Sequence, residues 1–227
     1  MKAWIRNLII GTPLEGLARR IMGRPRVAFE SSPQYWESRY QSKGNSGSGS
    51  YGKLAEFKAG VLNDFVSARS IQSVIEFGCG DGNQLALANY PNYIGIDVSH
   101  TAVDLCTERF AGDASKRFVH SSDYGAERAD LSLSLDVIFH LVEEQVFETY
   151  MADLFEAASR YVIVYSSNSD VDGKFLEHVR HRRFTDWVEA NRTDFQLVEH
   201  IPNRFPYDDS DPDNTSFADF YIFERIS

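Results

Sequence analysis

Cysteine is nearly absent from this 227-residue chain, with only Cys79 and Cys106. That excludes a disulfide framework and fits a reducing compartment, the cytoplasm by default. An excess of positive charge is also lacking. A formal net charge of −10 argues against the basic field that nucleic-acid binding needs, so no nucleic-acid partner is expected. Long apolar runs are missing, and Trp4 to Ile10 is not followed by the small-residue cleavage pattern of a secretory signal. The mature chain is therefore expected to begin near Met1. The length suits one full domain with extensions rather than two domains.

What is present centres on Ser73 to Gln84, S-V-I-E-F-G-C-G-D-G-N-Q. Val74, Ile75 and Phe77 read as a strand covered on both faces, and Glu76 is a charge inside it that needs a partner. Gly78, Gly80 and Gly82 then alternate with Cys79 and Asp81, which lets the backbone turn sharply and approach a ligand closely. Asn83 stands where a dinucleotide fingerprint needs its third glycine, and no Gly-Lys-Ser or Gly-Lys-Thr follows as in a P-loop. A second apolar run, Tyr93-Ile94-Gly95-Ile96, ends at Asp97, about twenty residues after Glu76, where an acid reaches ribose hydroxyls in nucleoside-binding βαβ units.

E-x-G-x-G-x-G followed by G-I-D-V-S resembles motifs I and II of the class I S-adenosylmethionine-dependent methyltransferases. The resemblance implies a Rossmann-like α/β fold with a seven-stranded, mainly parallel sheet, helices on both faces and an antiparallel last strand. It also implies S-adenosyl-L-methionine as cofactor. Glu76 would help organise the amino-acid end of the cofactor, among Gly78, Cys79, Gly80, Asn83 and Gln84. Asp97 would take the ribose hydroxyls, beside Val98 and Ser99. An acid after the third strand commonly recognises the adenine amino group, which points to Asp123, although a short aspartate turn reads equally well there. Leu135, at the end of the fourth strand, completes the implied cofactor set.

The chain divides into a basic amphipathic extension over 1–30, a cap and helix over 31–70, and a core domain over 71–227. Residues 1–26 carry six basic side chains against Glu15 alone. Thr12-Pro13-Leu14-Glu15 is a capping box that opens an amphipathic helix. Such a segment suits peripheral contact with an anionic membrane surface, or docking on its own domain or a second subunit. Tyr35, Trp36, Arg39 and Tyr40 precede the Gly/Ser tract 44–52. Y-W-E-x-R-Y is similar to the N-terminal cap of several small-molecule methyltransferases, which adds Tyr35, Trp36 and Arg39 to the implied cofactor contacts. The tract reads as the hinge of a lid or as a plain linker.

Further along, Leu54 to Phe65 has helical periodicity, and Ser99 caps a helix to Arg109 with Ala102, Val103, Leu105 and Cys106 inward. Lys116 to His120 is a third strand. Asp130 to Asp136 alternates strictly and makes a fourth. A helix through Phe147, Met151, Leu154 and Phe155 leads to a fifth strand, Tyr161 to Tyr165, which completes an alternation of strand and helix. Phe195 to Ile201 and Phe217 to Arg225 are the last strands and form a hairpin-like end.

Methyl transfer from a sulfonium is an in-line displacement that needs chiefly alignment and desolvation, with a base only where the acceptor loses a proton. His140, where the fourth strand opens to the site, is the candidate base or a structural histidine. Asp136 would position the acceptor, orient His140 or cap the strand. His178, His181, Arg182 and Arg183 suit an anionic acceptor or a solvated helix face. His178 and His181 lack a second ligand cluster, so no metal is expected. From the cap to F-A-D-F-Y-I-F, the chain resembles methyltransferases of bacterial surface-polysaccharide biosynthesis. That likeness implies a small-molecule or glycan acceptor, such as an oxygen of a sugar, sugar phosphate or nascent glycan.

Overall fold

The computed structural model describes residues 29–170 and 177–226. The extension expected over 1–30 therefore lies almost wholly outside the described residues. No described helix is long and apolar enough to cross a membrane.

One seven-stranded sheet organises the molecule. Its strands are β1 (Val74–Phe77), β2 (Tyr93–Asp97), β3 (Lys116–His120), β4 (Ala129–Leu135), β5 (Ala158–Ser166), β6 (Phe195–Ile201) and β7 (Asp219–Arg225), in the spatial order β3-β2-β1-β4-β5-β7-β6. The first five are mutually parallel, whereas β7 runs antiparallel to both β5 and β6. The chain order reverses between β1 and β4, and in open α/β sheets ligands bind outside the carboxyl ends of strands at such a switch point.

Five helices are described: α1 (Ser32–Gln41), α2 (Gly52–Ala68), α3 (His100–Arg109), α4 (Glu144–Glu156) and α5 (Phe184–Asn191). The alternation along β4 and β5 sends residues to two cores. Leu131, Leu133, Tyr161 and Ile163 pack with α2 and α3 on one face. On the other, Val162 and Val164 pack with Phe147, Met151 and Leu154 of α4 and Phe184 of α5. The buried, β-branched centre of β5 is what a strand covered on both sides requires.

The expected alternation of strand and helix is interrupted twice. Between β1 and β2 there is only a 3-10 turn, Leu85–Leu87, because Asn89, Pro91 and Asn92 break a helix that has barely begun. Between β3 and β4 another 3-10 turn, Ser121–Asp123, leads into an irregular strap with Ala126 at φ +59°. Eight residues separate these strands, which lie three places apart in the sheet. As a helix they would reach about 12 Å, short of the roughly 14 Å of lateral separation alone. Leu105, expected inward, is 40% exposed, since the buried face of α3 is Ala102 and Cys106, one turn apart.

Candidate active site

A cavity of about 500 Å³ lies at the carboxyl ends of the parallel strands, within the usual size of a small-molecule site. Its floor is the glycine turn after β1. Gly78 has φ +88° and Gly80 φ +58°, a region that only glycine enters without strain. A Cβ at Gly78 would stand 2.4 Å from Val137 Cγ2, and one at Gly80 2.3 Å from Ser46 Oγ. The backbone is thus threaded between two walls, and glycine keeps the approach to a ligand open.

Two buried carboxyls flank the turn. Glu76 accepts a hydrogen bond from Tyr93 Oη at 2.7 Å. Burial raises its pKa to about 7, against the opposing effects of that bond and of the Lys58 charge. Asp97 accepts from the backbone N–H of Gly80 and of Ser99, each at 2.9 Å. Burial still lifts it to about 6. Acids held near neutrality in such a cavity are poised to receive hydrogen-bond donors or a cation. Gln84 Oε1 is buried there with no partner among the described residues, a further acceptor that awaits a donor.

The cap closes one side. Ser31 caps α1, accepting from Gln34 N, and Ser32, Trp36 and Tyr40, four residues apart, line the cavity. Two acids clamp the helix in place. Glu143 accepts from Ser32 N at 2.8 Å and Ser32 Oγ at 2.6 Å, and Glu37 accepts from Ser99 Oγ at 2.6 Å and Thr101 Oγ1 at 2.8 Å. The Gly/Ser tract is likewise bound. Asp81 accepts from Ser46 N at 2.9 Å and Tyr51 Oη at 2.7 Å; burial works against its charge, but these bonds hold its pKa below the ordinary value. The tract is a wall of the site, tied to the glycine turn.

His140 lies in a 3-10 turn beyond β4 and lines the cavity. Its Nδ1 is 3.0 Å from the carbonyl oxygen of His178. A carbonyl only accepts, so Nδ1 carries the hydrogen and Nε2 the lone pair. Burial drives the pKa of His140 down to about 3, outweighing that bond. Asp136 also lines the cavity, but its partner is Lys58 Nζ at 2.6 Å, so His140 is oriented by the His178 carbonyl rather than by Asp136.

Other expected residues sit behind this wall. Tyr35 stacks on His178 at 4.2 Å, and Arg39 donates to Asn45 O at 2.6 Å. Asn83 donates to Ser50 O at 2.8 Å, and Ser99 bonds Glu37 as above. Cys79, Val98 and Leu135 line the cavity directly. Asp123 is exposed, while its neighbours Ser121, Ser122 and Tyr124 line the wall. His181 does not line it: Nδ1 is 2.6 Å from Ser167 Oγ and the ring meets Phe217 edge-on. The basic segment is engaged with the protein itself. Arg182 is buried and donates to Leu141 O at 2.6 Å, Arg180 pairs with Glu144 at 2.9 Å and Arg183 with Asp186 at 3.7 Å.

Residues 75–164 match the model of the methyltransferase domain family. The chain carries a methyltransferase domain, and its cofactor is S-adenosylmethionine. Among solved structures, it is similar to the methyltransferase domain of bacterial CtHen1-C, with 20% identity over 75% of this chain and 97% of that one and a TM-score of 0.58. It is similar to N-methyltransferase NodS from Bradyrhizobium japonicum WM9 in complex with S-adenosyl-L-homocysteine, at 15% identity over 77% and 88% and a TM-score of 0.61. Magnesium protoporphyrin IX methyltransferase from Synechocystis PCC 6803 with bound SAM aligns over 99% of this chain and 96% of that one, at 17% identity and a TM-score of 0.55. At these identities the structural likeness speaks for the fold. No curated protein sequence matches the chain.

The residues present fit the cofactor: the glycine turn is open, the two buried carboxyls have lone pairs beyond their present donors, and Gln84 Oε1 has no partner among the described residues. Sequence reasoning missed Lys58, Tyr40, Ser46 and the polar stripe of α4, where Gln145, Thr149 and Asp153 line the cavity four residues apart. That spacing was readable as a helix face; the cavity it meets is a product of the tertiary fold.

Proposed function

We propose that this methyltransferase acts on a hydroxyl oxygen of a sugar, sugar phosphate or nascent cell-surface glycan. The observation that carries the reading is the acceptor end of the cavity, where Trp36 and His140 meet edge to face at 4.9 Å and His140 presents a neutral, unprotonated Nε2. An aromatic surface suits the C–H face of a sugar ring, and the Nε2 lone pair accepts a hydrogen bond from its hydroxyl. The bound cofactor supplies a methyl group activated by a positive sulfur. Glu76 and Asp97 would hold it, and α1, clamped by Glu37 and Glu143, excludes water. With a pKa of about 3, His140 aligns the acceptor by accepting its hydrogen bond and is a poor store for its proton, which passes on to solvent as the oxygen takes the methyl group. The in-chain pairing of Arg180, Arg182 and Arg183 favours a neutral sugar over a phosphorylated one.

An amine acceptor is the second reading, because a neutral Nε2 takes an N–H equally well and NodS is an N-methyltransferase. A screen for S-adenosylhomocysteine release over neutral sugars, sugar phosphates and amino sugars, followed by mass spectrometry of the product, separates these. O-methylation of a neutral sugar is expected. Turnover confined to amines, with N-methyl products, would overturn the oxygen assignment.

A further inference from the structure

The cavity wall carries four carboxylic acids, Glu76, Asp97, Asp136 and Asp153, but among the described residues a single lysine or arginine, Lys58. Its side chain is only 1% exposed. Leu54, Ala55, Lys58, Ala59 and Leu62 form the buried stripe of α2, so a lysine occupies a place where the helical period puts an apolar residue. Burying an ammonium is costly unless it is paired and its donors are met. Asp136 Oδ2 is its one hydrogen-bond partner among the described residues, at 2.6 Å. The Tyr165 ring lies 5.3 Å from Nζ. Two of the three N–H donors remain for a guest of the cavity.

Asp136 is held as firmly as its partner. It adopts φ +60°, donates its backbone N–H to Tyr165 O at 2.9 Å, and lies so close to Gly49 that a Cβ there would stand 2.8 Å from Oδ2. A strained backbone and a buried lysine together fix one ion pair in the wall, near enough to Glu76 for the lysine charge to act on it.

We propose that Lys58 and Asp136 read the zwitterionic amino-acid end of S-adenosylmethionine, Lys58 taking the α-carboxylate while Asp136, together with Glu76, faces the α-ammonium. Both charges of that end must leave water on entry, and each needs a counter-charge in the cavity. The wall has acids enough for the ammonium, but among the described residues Lys58 is its one fixed cation for the carboxylate. Arg39, the basic residue of the cap, is spent on the Asn45 carbonyl and does not line the cavity.

Calorimetric titration with S-adenosylhomocysteine and with 5′-methylthioadenosine, which keeps the nucleoside and thioether but lacks the amino-acid end, tests this. Lys58→Met removes the cation, and Lys58→Met/Asp136→Asn removes both charges, so that no unpaired charge stays buried in a variant checked by thermal melting. In the folded double variant, S-adenosylhomocysteine affinity should fall about tenfold or more while methylthioadenosine affinity changes by less than about twofold. Unchanged S-adenosylhomocysteine affinity, or an equal loss for both ligands, would overturn the assignment. Failure of the unaltered chain to bind S-adenosylhomocysteine would overturn the cofactor itself and this reading with it.

Discussion

At the scale of residues, the site is governed by groups whose charge burial has shifted. Glu76 sits at about 7 and His140 at about 3. If an ionised Glu76 faces the cofactor ammonium, binding must first deprotonate it below pH 7. S-adenosylhomocysteine affinity should then rise with pH between about 6 and 8, releasing a proton. Glu76→Gln should bind more weakly and without that slope; a flat profile in the unaltered protein would remove Glu76 from the amino-acid end. For His140, the turnover profile should show no inflection near pH 6.5. His140→Ala should lower kcat by about tenfold or more while leaving cofactor affinity nearly unchanged. Asp97→Ala should weaken cofactor binding, and unchanged affinity in calorimetry would sink its ribose role. Glu76, Asp97 and His140 were legible in the sequence, Glu76 as a charge inside an apolar run, Asp97 as the acid that ends one, and His140 from its place just beyond the fourth strand. Lys58 was not, since it looks like one charge on an amphipathic helix until α2 is packed and the position proves buried.

At the scale of elements, the glycine turn and α1 make the site. Gly80→Ala should abolish measurable cofactor binding, because its Cβ would meet Ser46 Oγ at 2.3 Å in a conformation that costs about 1–3 kcal/mol for a non-glycine residue. Calorimetry and a melt on the same sample check both effects. Glu37→Ala removes the bonds to Ser99 and Thr101 that dock α1 on the start of α3. Faster release of S-adenosylhomocysteine in stopped flow is expected, and an unchanged rate would argue that α1 does not gate it. Most elements were readable from periodicity and caps: Ser99 starts α3, and β3 and β6 span the expected residues. The strap between β3 and β4 was not, because its lack of a helix follows from strand order, which local pattern does not contain.

At the scale of the whole molecule, the two cores and the switch point at β1 and β4 place Glu76 and Asp97 at one edge of the sheet. For Glu76 and Asp97 the folded pKa values, about 7 and about 6, lie above the ordinary carboxylate range. Their stabilising contribution is full below about pH 4 and is lost as pH rises through 6 to 7. His140, lowered to about 3, acts in reverse, with stability present above about pH 6.5 and lost as pH falls. The melting temperature of the ligand-free protein should therefore decline more between pH 5 and pH 7.5 than that of Glu76→Gln/Asp97→Asn, by about a few degrees; equal slopes would contradict the buried-acid account.

The most direct measurement for the central claim is calorimetric titration of the purified chain with S-adenosylmethionine and S-adenosylhomocysteine, with nicotinamide dinucleotides as controls. Saturable one-site binding of the first two, weakened in Asp97→Ala, is the predicted result. Binding of the dinucleotides instead, or of nothing by a folded chain, would contradict it.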